Sequence, residues 1–387
     1  MCSNRILCTK KQGLIVLKAT KFDEVKTPAY ILDEAQYINN LKRLKYIQDR
    51  TGCKILLAIK AFANPDYLAI SNDYLSGVST SSLYETQLAH SVITNDIHVY
   101  SPAFKAEELG PIQSMANHIV FNSWPQWLRY RDLMSKQVSC GIRINPAYSE
   151  IDQPLYDPCR PRSRFGVHPE VIQSLDGLSG FHVHALCGQH VDVLERLWGH
   201  IDDQFGQWLP DLEWINLGGG HLLTDPTYNI DRLIDLITMV QNRYGVRVIL
   251  EPGTGVVVDV GYLVASVLDI IERDGLIAIL DTSATAHIPD ILEMPYHPRI
   301  LGQSQGKYTY QLTGVTCLSG DIIGDYGFDA PLAIGDRVVF EDVAPYTMVK
   351  NTTFNGIALP DIYNYTCEKK LVSMKKFSYS DFVQRLG

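Results

Sequence analysis

The chain has 387 residues, 46% of them hydrophobic and 20% charged, which excludes a disordered segment and leaves room for a large core. Lys and Arg number 34 against 43 Asp and Glu, a formal charge of −9. That balance argues against a nucleic-acid partner, whose binders concentrate Lys and Arg, and suits a cationic small molecule or solubility alone. Eight cysteines without a CxxC pair match neither a disulfide scaffold nor a zinc ribbon. No apolar run reaches secretory-signal length at the N-terminus, or the ~18 residues of a membrane span anywhere. The expectation is a reduced, soluble, cytoplasmic protein with no membrane partner.

From about Thr27 one rhythm repeats: a short β-rich run, a loop, then an amphipathic stretch. Strands are predicted at 54–61 (KILLAIKA), 76–80, 96–101, 118–123, 139–146, 180–186, 213–220 and 247–253. NPDYLAISNDY after the first of them reads as a helix with Pro65 near its start. Eight βα units over about 230 residues fit a closed (β/α)8 barrel better than an open sheet, so residues 29–255 are assigned to it. After Gly255 come VVVDVGYLVASVLDII, LIAILDTSA, KYTYQLTGVTC, DRVVFED and APYTMVK, β-rich segments without helices between them. They predict a second, antiparallel β-barrel domain at 256–387, joined by the strand-like N-terminal segment 1–28. One long loop, Asn145–Val167, carries four prolines before Arg162; loops of that length are usually functional or disordered.

Chemistry in such barrels collects at the C-terminal strand ends. Lys60 there is either a desolvated, nucleophilic amine suited to a Schiff base or a snorkelling loop lysine. Gly218-Gly219-Gly220 either exposes backbone N–H groups to an anion or makes an unusual turn. Glu251 either pairs with a protonated pyridine nitrogen or caps a turn. His182 and His184 share one strand face, and can bind a metal, stack on a flat cofactor or be structural. Cys317 in GVTCLSGD is an acid, a nucleophile or an inert thiol, and Tyr346 alone reads as core.

Taken together, LLAIKAF at Lys60, SSLYE at Ser81, INPAYSEIDQPLYDPCRPRSRFG at Ile144, HVHALC at His182 and NLGGGH at Asn216 resemble the fold-type III, alanine-racemase-like family of pyridoxal-phosphate decarboxylases. EPG at Glu251, CLSGD at Cys317 and YTMVKNTTFNG at Tyr346 extend the resemblance over nearly the whole chain. It implies that Lys60 carries pyridoxal 5'-phosphate, Glu251 pairs with its ring nitrogen and His184 stacks on the ring. It further implies that Gly218, Gly219, Gly220 and Tyr346 hold the phosphate, with Cys187 where many relatives have a phosphate-binding serine. Cys317 is expected to cross from a second copy as proton donor, in a homodimer with shared active sites.

Glu251 favours decarboxylation over racemisation, for which the related enzymes are associated with an arginine. Diaminopimelate-specific relatives typically carry EPGR and ornithine-specific ones an acid after the cysteine; here Thr254 and Leu318 stand at those positions. The expected substrate is a carboxylated polyamine, with Glu251, Asp281, His287, Asp290 and Asp321 as candidates to bind it. The rivals are a diaminopimelate-like decarboxylase on the same fold, a metal-dependent hydrolase built on His182 and His184, and a non-enzymatic cofactor carrier.

Overall fold

A computed structural model describes residue 22, residues 24–294 and residues 296–387. Most of the strand-like 1–28 segment lies outside them. Strand β1 is Ala29–Asp33, and its last residue caps the helix Glu34–Thr51: the Asp33 carboxylate accepts from the Gln36 N–H at 3.0 Å. That helix buries Tyr37, Leu41, Leu44 and Ile47 against the barrel, a spacing of three or four residues that lays them on one face.

Strands β2 (Lys54–Ala58), β3 (Gly77–Thr80), β4 (Asp96–Tyr100), β5 (His118–Phe121), β6 (Ser139–Arg143), β7 (Gly180–His182), β8 (Trp214–Asn216) and β9 (Arg247–Leu250) follow. All pair in parallel with their sequence neighbours, and β9 closes on β2 through Lys54↔Ile249. The eight predicted strands are the eight staves of this barrel. Helices cover the outside, and two of them, Val191–Phe205 and Ile230–Tyr244, bury an apolar stripe. Inside, the Trp214 ring fills the lower barrel. It fits because Gly141 and Gly180 lack side chains; a Cβ on either would sit 2.1–2.3 Å from the indole.

Beyond the barrel lie β10 (Gly261–Glu272), β11 (Leu276–Leu280), β12 (Tyr308–Thr313), β13 (Ile322–Phe328), β14 (Arg337–Glu341), β15 (Asp361–Tyr365) and β16 (Leu371–Lys375). With β1 they form an eight-stranded sheet of order β13-β12-β11-β10-β1-β15-β16, and β14 also pairs with β10. Three details correct the sequence reading. The sheet is mixed, because β1 runs parallel to β15 and β11 parallel to β12. Ala29–Asp33, counted with the barrel, belongs to this sheet; Phe22 and Val25 pack with it beside Val264 and Val339. APYTMVK forms turns, not a strand, and it reaches back to the barrel: the Tyr346 N–H donates to the Ala61 carbonyl at 2.8 Å.

Candidate active site

The C-terminal ends of the barrel strands open into a cavity of about 300 Å³, lined among others by Lys60, Ser81, Arg143, Tyr156, Asp157 and His184. A larger cavity of about 680 Å³ lies at the opposite end, among Lys54, Asp96, His118 and Trp214. It contains none of the strand-end residues on which barrel chemistry depends, and the smaller one is the site.

Lys60 follows β2 in a tight turn, where Ala61 and Phe62 donate back to the Ala58 and Ile59 carbonyls. Its side chain stands exposed within the cavity, with protein packed closely around it. Desolvation therefore lowers its pKa from the ordinary lysine value; Glu251 opposes that shift and Arg143 adds to it. That is the direction a nucleophilic amine requires. Tyr346, beside Ala61, adopts φ 54°, a left-handed conformation that is strained for a tyrosine.

Asn216 ends β8 with no exposed surface. Its Nδ2 donates to Glu251 Oε1 at 2.6 Å, and its Oδ1 accepts from the Gly218 N–H at 2.9 Å. One amide thus orients both the carboxylate and the glycine loop. Burial raises the Glu251 pKa, while the Asn216 hydrogen bond and the Lys60 charge pull it down. Oε2 stays clear of Asn216 and lies 3.8 Å from His182 Nε2. The buried His182 is held well below the usual imidazole range by desolvation, so the contact is not an ion pair.

The three glycines allow a close approach that no other residue permits. A Cβ on Gly218 would lie 2.4 Å from the Val183 carbonyl oxygen, on Gly219 2.2 Å from that of Glu251, and on Gly220 2.0 Å from that of Leu186. Gly218 and Gly220 also take φ of 70° and 86°. The Gly219 N–H donates to His184 Nδ1 at 2.9 Å, which orients the imidazole and leaves Nε2 as the protonated nitrogen of its neutral form. With the Gly218 N–H on Asn216, two of the three glycine donors are spent inside the loop. Cys187 lies half-buried three residues after His184, its thiol pKa pushed up by desolvation.

Arg143, at the end of β6, donates to Tyr100 Oη at 2.8 Å and to the His184 carbonyl at 2.9 Å, with its guanidinium 4.4 Å from the centre of the Phe165 ring. Tyr100 in turn donates to Asn122 Oδ1, which also accepts from the Gly166 N–H, while Asn122 Nδ2 donates to the Arg164 carbonyl. This chain ties the far end of the long loop to the barrel. The loop forms the cavity rim through Leu155, Tyr156, Asp157 and Pro158. The sequence reading assigned no role to Arg143, Asn122, Asn216 or Asp157. Their signal is a polar residue at or just beyond the end of an otherwise apolar strand, or within the one long loop.

Other expected residues are placed elsewhere. Asp281 accepts from Thr27 Oγ1 and the Ser266 N–H; His287 Nδ1 meets Thr282 Oγ1 at 2.9 Å inside the second domain. Asp321 accepts from Ser283 Oγ, from the Ala284 N–H and from both Thr316 donors, bracing the loop that presents Cys317. None of these three lines the cavity, so their expected contact with substrate has no support within one copy. Asp290 pairs with Lys350 at 3.1 Å, a lysine it shares with Glu293, and does not line the cavity; its charge adds to the burial that raises the Cys187 and Tyr346 pKa values. Cys317 is exposed, its N–H on Asn355 Oδ1, and is not a wall of this copy's cavity. For the metal reading, the described residues bring three potential ligands together at Asp96, His98 and His118, not around His182 and His184.

A family model described as pyridoxal-dependent decarboxylase, C-terminal sheet domain, matches residues 29–344. The chain belongs to the pyridoxal-dependent decarboxylases. It is 40% identical over 380 residues to the carboxynorspermidine/carboxyspermidine decarboxylase of Campylobacter jejuni, covering 94% of this chain and 99% of that one. It is equally 40% identical to the carboxyaminopropylagmatine decarboxylase of a Synechocystis species, over 96% and 98% of the two chains. Among solved structures, Campylobacter jejuni carboxynorspermidine decarboxylase complexed with norspermidine superimposes with a TM-score of 0.87, 40% identity and coverage of 93% and 100%. Helicobacter pylori diaminopimelate decarboxylase, 18% identical, shares the fold with a TM-score of 0.80, covering 94% of this chain and 98% of that one. The expected family, barrel and decarboxylase class are thereby established. No described helix is long and apolar enough to cross a membrane.

Proposed function

We propose that this decarboxylase holds pyridoxal 5'-phosphate on Lys60 and releases CO2 from carboxynorspermidine or carboxyspermidine, forming norspermidine or spermidine for polyamine biosynthesis. The observation that carries it is the desolvated Lys60 amine sharing one cavity with His184, beside Glu251. The donor set fits the cofactor: an amine with lowered pKa for the aldehyde, a fixed imidazole for the ring, and a buried carboxylate for the ring nitrogen. The Gly220 N–H and Tyr346 are the phosphate partners, with Cys187 beside them.

When bound, pyridoxal phosphate supplies an electron-poor ring that accepts the electron pair left by departing CO2. Glu251 keeps a proton at the ring nitrogen and so deepens that sink. His184, fixed at Nδ1 by Gly219, orients the ring; Arg143, stacked on Phe165, holds the rim that excludes water. Cys317 of a second copy delivers a proton to the carbon that has lost CO2, which makes the active unit a homodimer with shared sites. Its exposure here, on a loop braced by Asp321 and Asn355, suits that role.

The test is a specificity series: kcat/KM for carboxynorspermidine, carboxyspermidine, carboxyaminopropylagmatine and diaminopimelate. The reading expects the two carboxylated triamines to lead. Equal or faster turnover of diaminopimelate contradicts it, and the agmatine derivative leading would redirect the substrate to a guanidinium.

A further inference from the structure

We infer that Asp157 anchors the far cationic end of the substrate, an inference that rests on the carboxylated-polyamine reading above. Such a substrate has its amino and carboxyl groups at the end that must reach Lys60, and charged nitrogens along the remainder. A cation taken into a cavity loses hydration and needs a compensating charge. Among the residues lining the cavity, Asp157 alone has a carboxylate, while Arg143 brings a guanidinium from the end of a barrel strand. The cavity therefore runs from a guanidinium inside to a carboxylate at its rim, which matches a substrate with its carboxylate inward and its ammonium outward.

Asp157 is held for the task. Its Oδ1 accepts from the Cys159 N–H at 2.8 Å, and among the described residues Oδ2 has no hydrogen-bond partner. Arg143 does not reach it, being spent on Tyr100, on the His184 carbonyl and on the Phe165 ring. Asp290 is engaged by Lys350, which also holds Glu293, and it does not line the cavity; Asp281 and Asp321 are enclosed by their own donors. Glu251 is held at Asn216 behind Lys60, where the ring nitrogen belongs. Within one copy, Asp157 is the carboxylate of the cavity lining that keeps an oxygen for the substrate.

Asp157→Asn tests this, because the amide oxygen still accepts from Cys159 while the charge is gone. In the cofactor-loaded enzyme, the norspermidine Kd by calorimetry and the KM for carboxynorspermidine are expected to rise by about tenfold or more, with kcat within about twofold. Asp157→Glu is expected to recover part of the loss. Unchanged norspermidine affinity in Asp157→Asn overturns the inference while leaving the decarboxylase reading intact. A wild-type enzyme that neither binds norspermidine nor releases CO2 from its carboxylated form overturns that reading first, and this inference with it. If the Asn variant does not fold, Asp157→Ser, which also keeps a short oxygen acceptor, is held to the same two outcomes.

Discussion

Asn216 Nδ2 lies 2.6 Å from Glu251 Oε1, and the same amide's Oδ1 receives the Gly218 N–H, so one buried side chain sets both the acid and the glycine loop. Asn216→Asp keeps the acceptor for Gly218 but puts a second carboxylate against the first. Like charges disfavour ionisation, so the Glu251 pKa rises. The acid limb of the kcat/KM profile is expected to move to higher pH by about one unit or more, with a fall in rate near neutrality. An acid limb that stays in place while the rate falls would assign Asn216 a purely architectural role.

Gly219→Ala places a methyl 2.2 Å from the Glu251 carbonyl oxygen, backbone that cannot swing aside. The strain is expected to cost about 1–3 kcal/mol in thermal denaturation and to turn the His184 ring, weakening cofactor retention measured by absorbance after dialysis. Wild-type stability and retention in this variant would mean that the loop has slack the geometry does not show.

His221 and His287 are buried, and burial pushes both down to about 4 from the usual 6.5. In the unfolded chain they bind protons near 6.5. Folding stability is therefore complete above about 6.5 and falls as pH drops toward 4, by at most on the order of 3 kcal/mol for each group. Denaturant midpoints across that window check the sign. Replacing His287 by Gln should flatten its share of the slope.

Asn122 holds Gly166 and Arg164 at the end of the long loop. Asn122→Ala frees both backbone groups, and tryptic cleavage after the exposed Arg162 is expected to accelerate several-fold, followed by a rise in KM. Cleavage at the wild-type rate would show that the Arg143–Phe165 stack suffices as the tether.

Much of this was legible in the sequence because the barrel repeats its signal eight times: KILLA, GVST, DIHVY and their successors are short apolar runs set off by loops. The strand ends then named Lys60, His184, Gly218–Gly220 and Glu251. What escaped has physical causes. Ala29–Asp33 reads like any barrel strand, and its pairing with β10 and β15 depends on residues more than 200 positions away. Asp281, His287 and Asp321 look like site acids and bases in the chain, and only the fold reveals that Ser266, Thr282 and Thr316 already satisfy them. Asp157 escaped in the opposite sense. A carboxylate in a proline-rich loop looks like surface until that loop is seen folding over the cavity.

The central claim is that Lys60 carries the cofactor and that the loaded enzyme decarboxylates a carboxylated triamine. Purified wild-type protein is expected to be yellow and to convert carboxynorspermidine to norspermidine with stoichiometric CO2. Lys60→Ala, folded by circular dichroism, is expected to lose the lysine-bound absorbance and the CO2 release together. A Lys60→Ala protein that retains both would contradict the account.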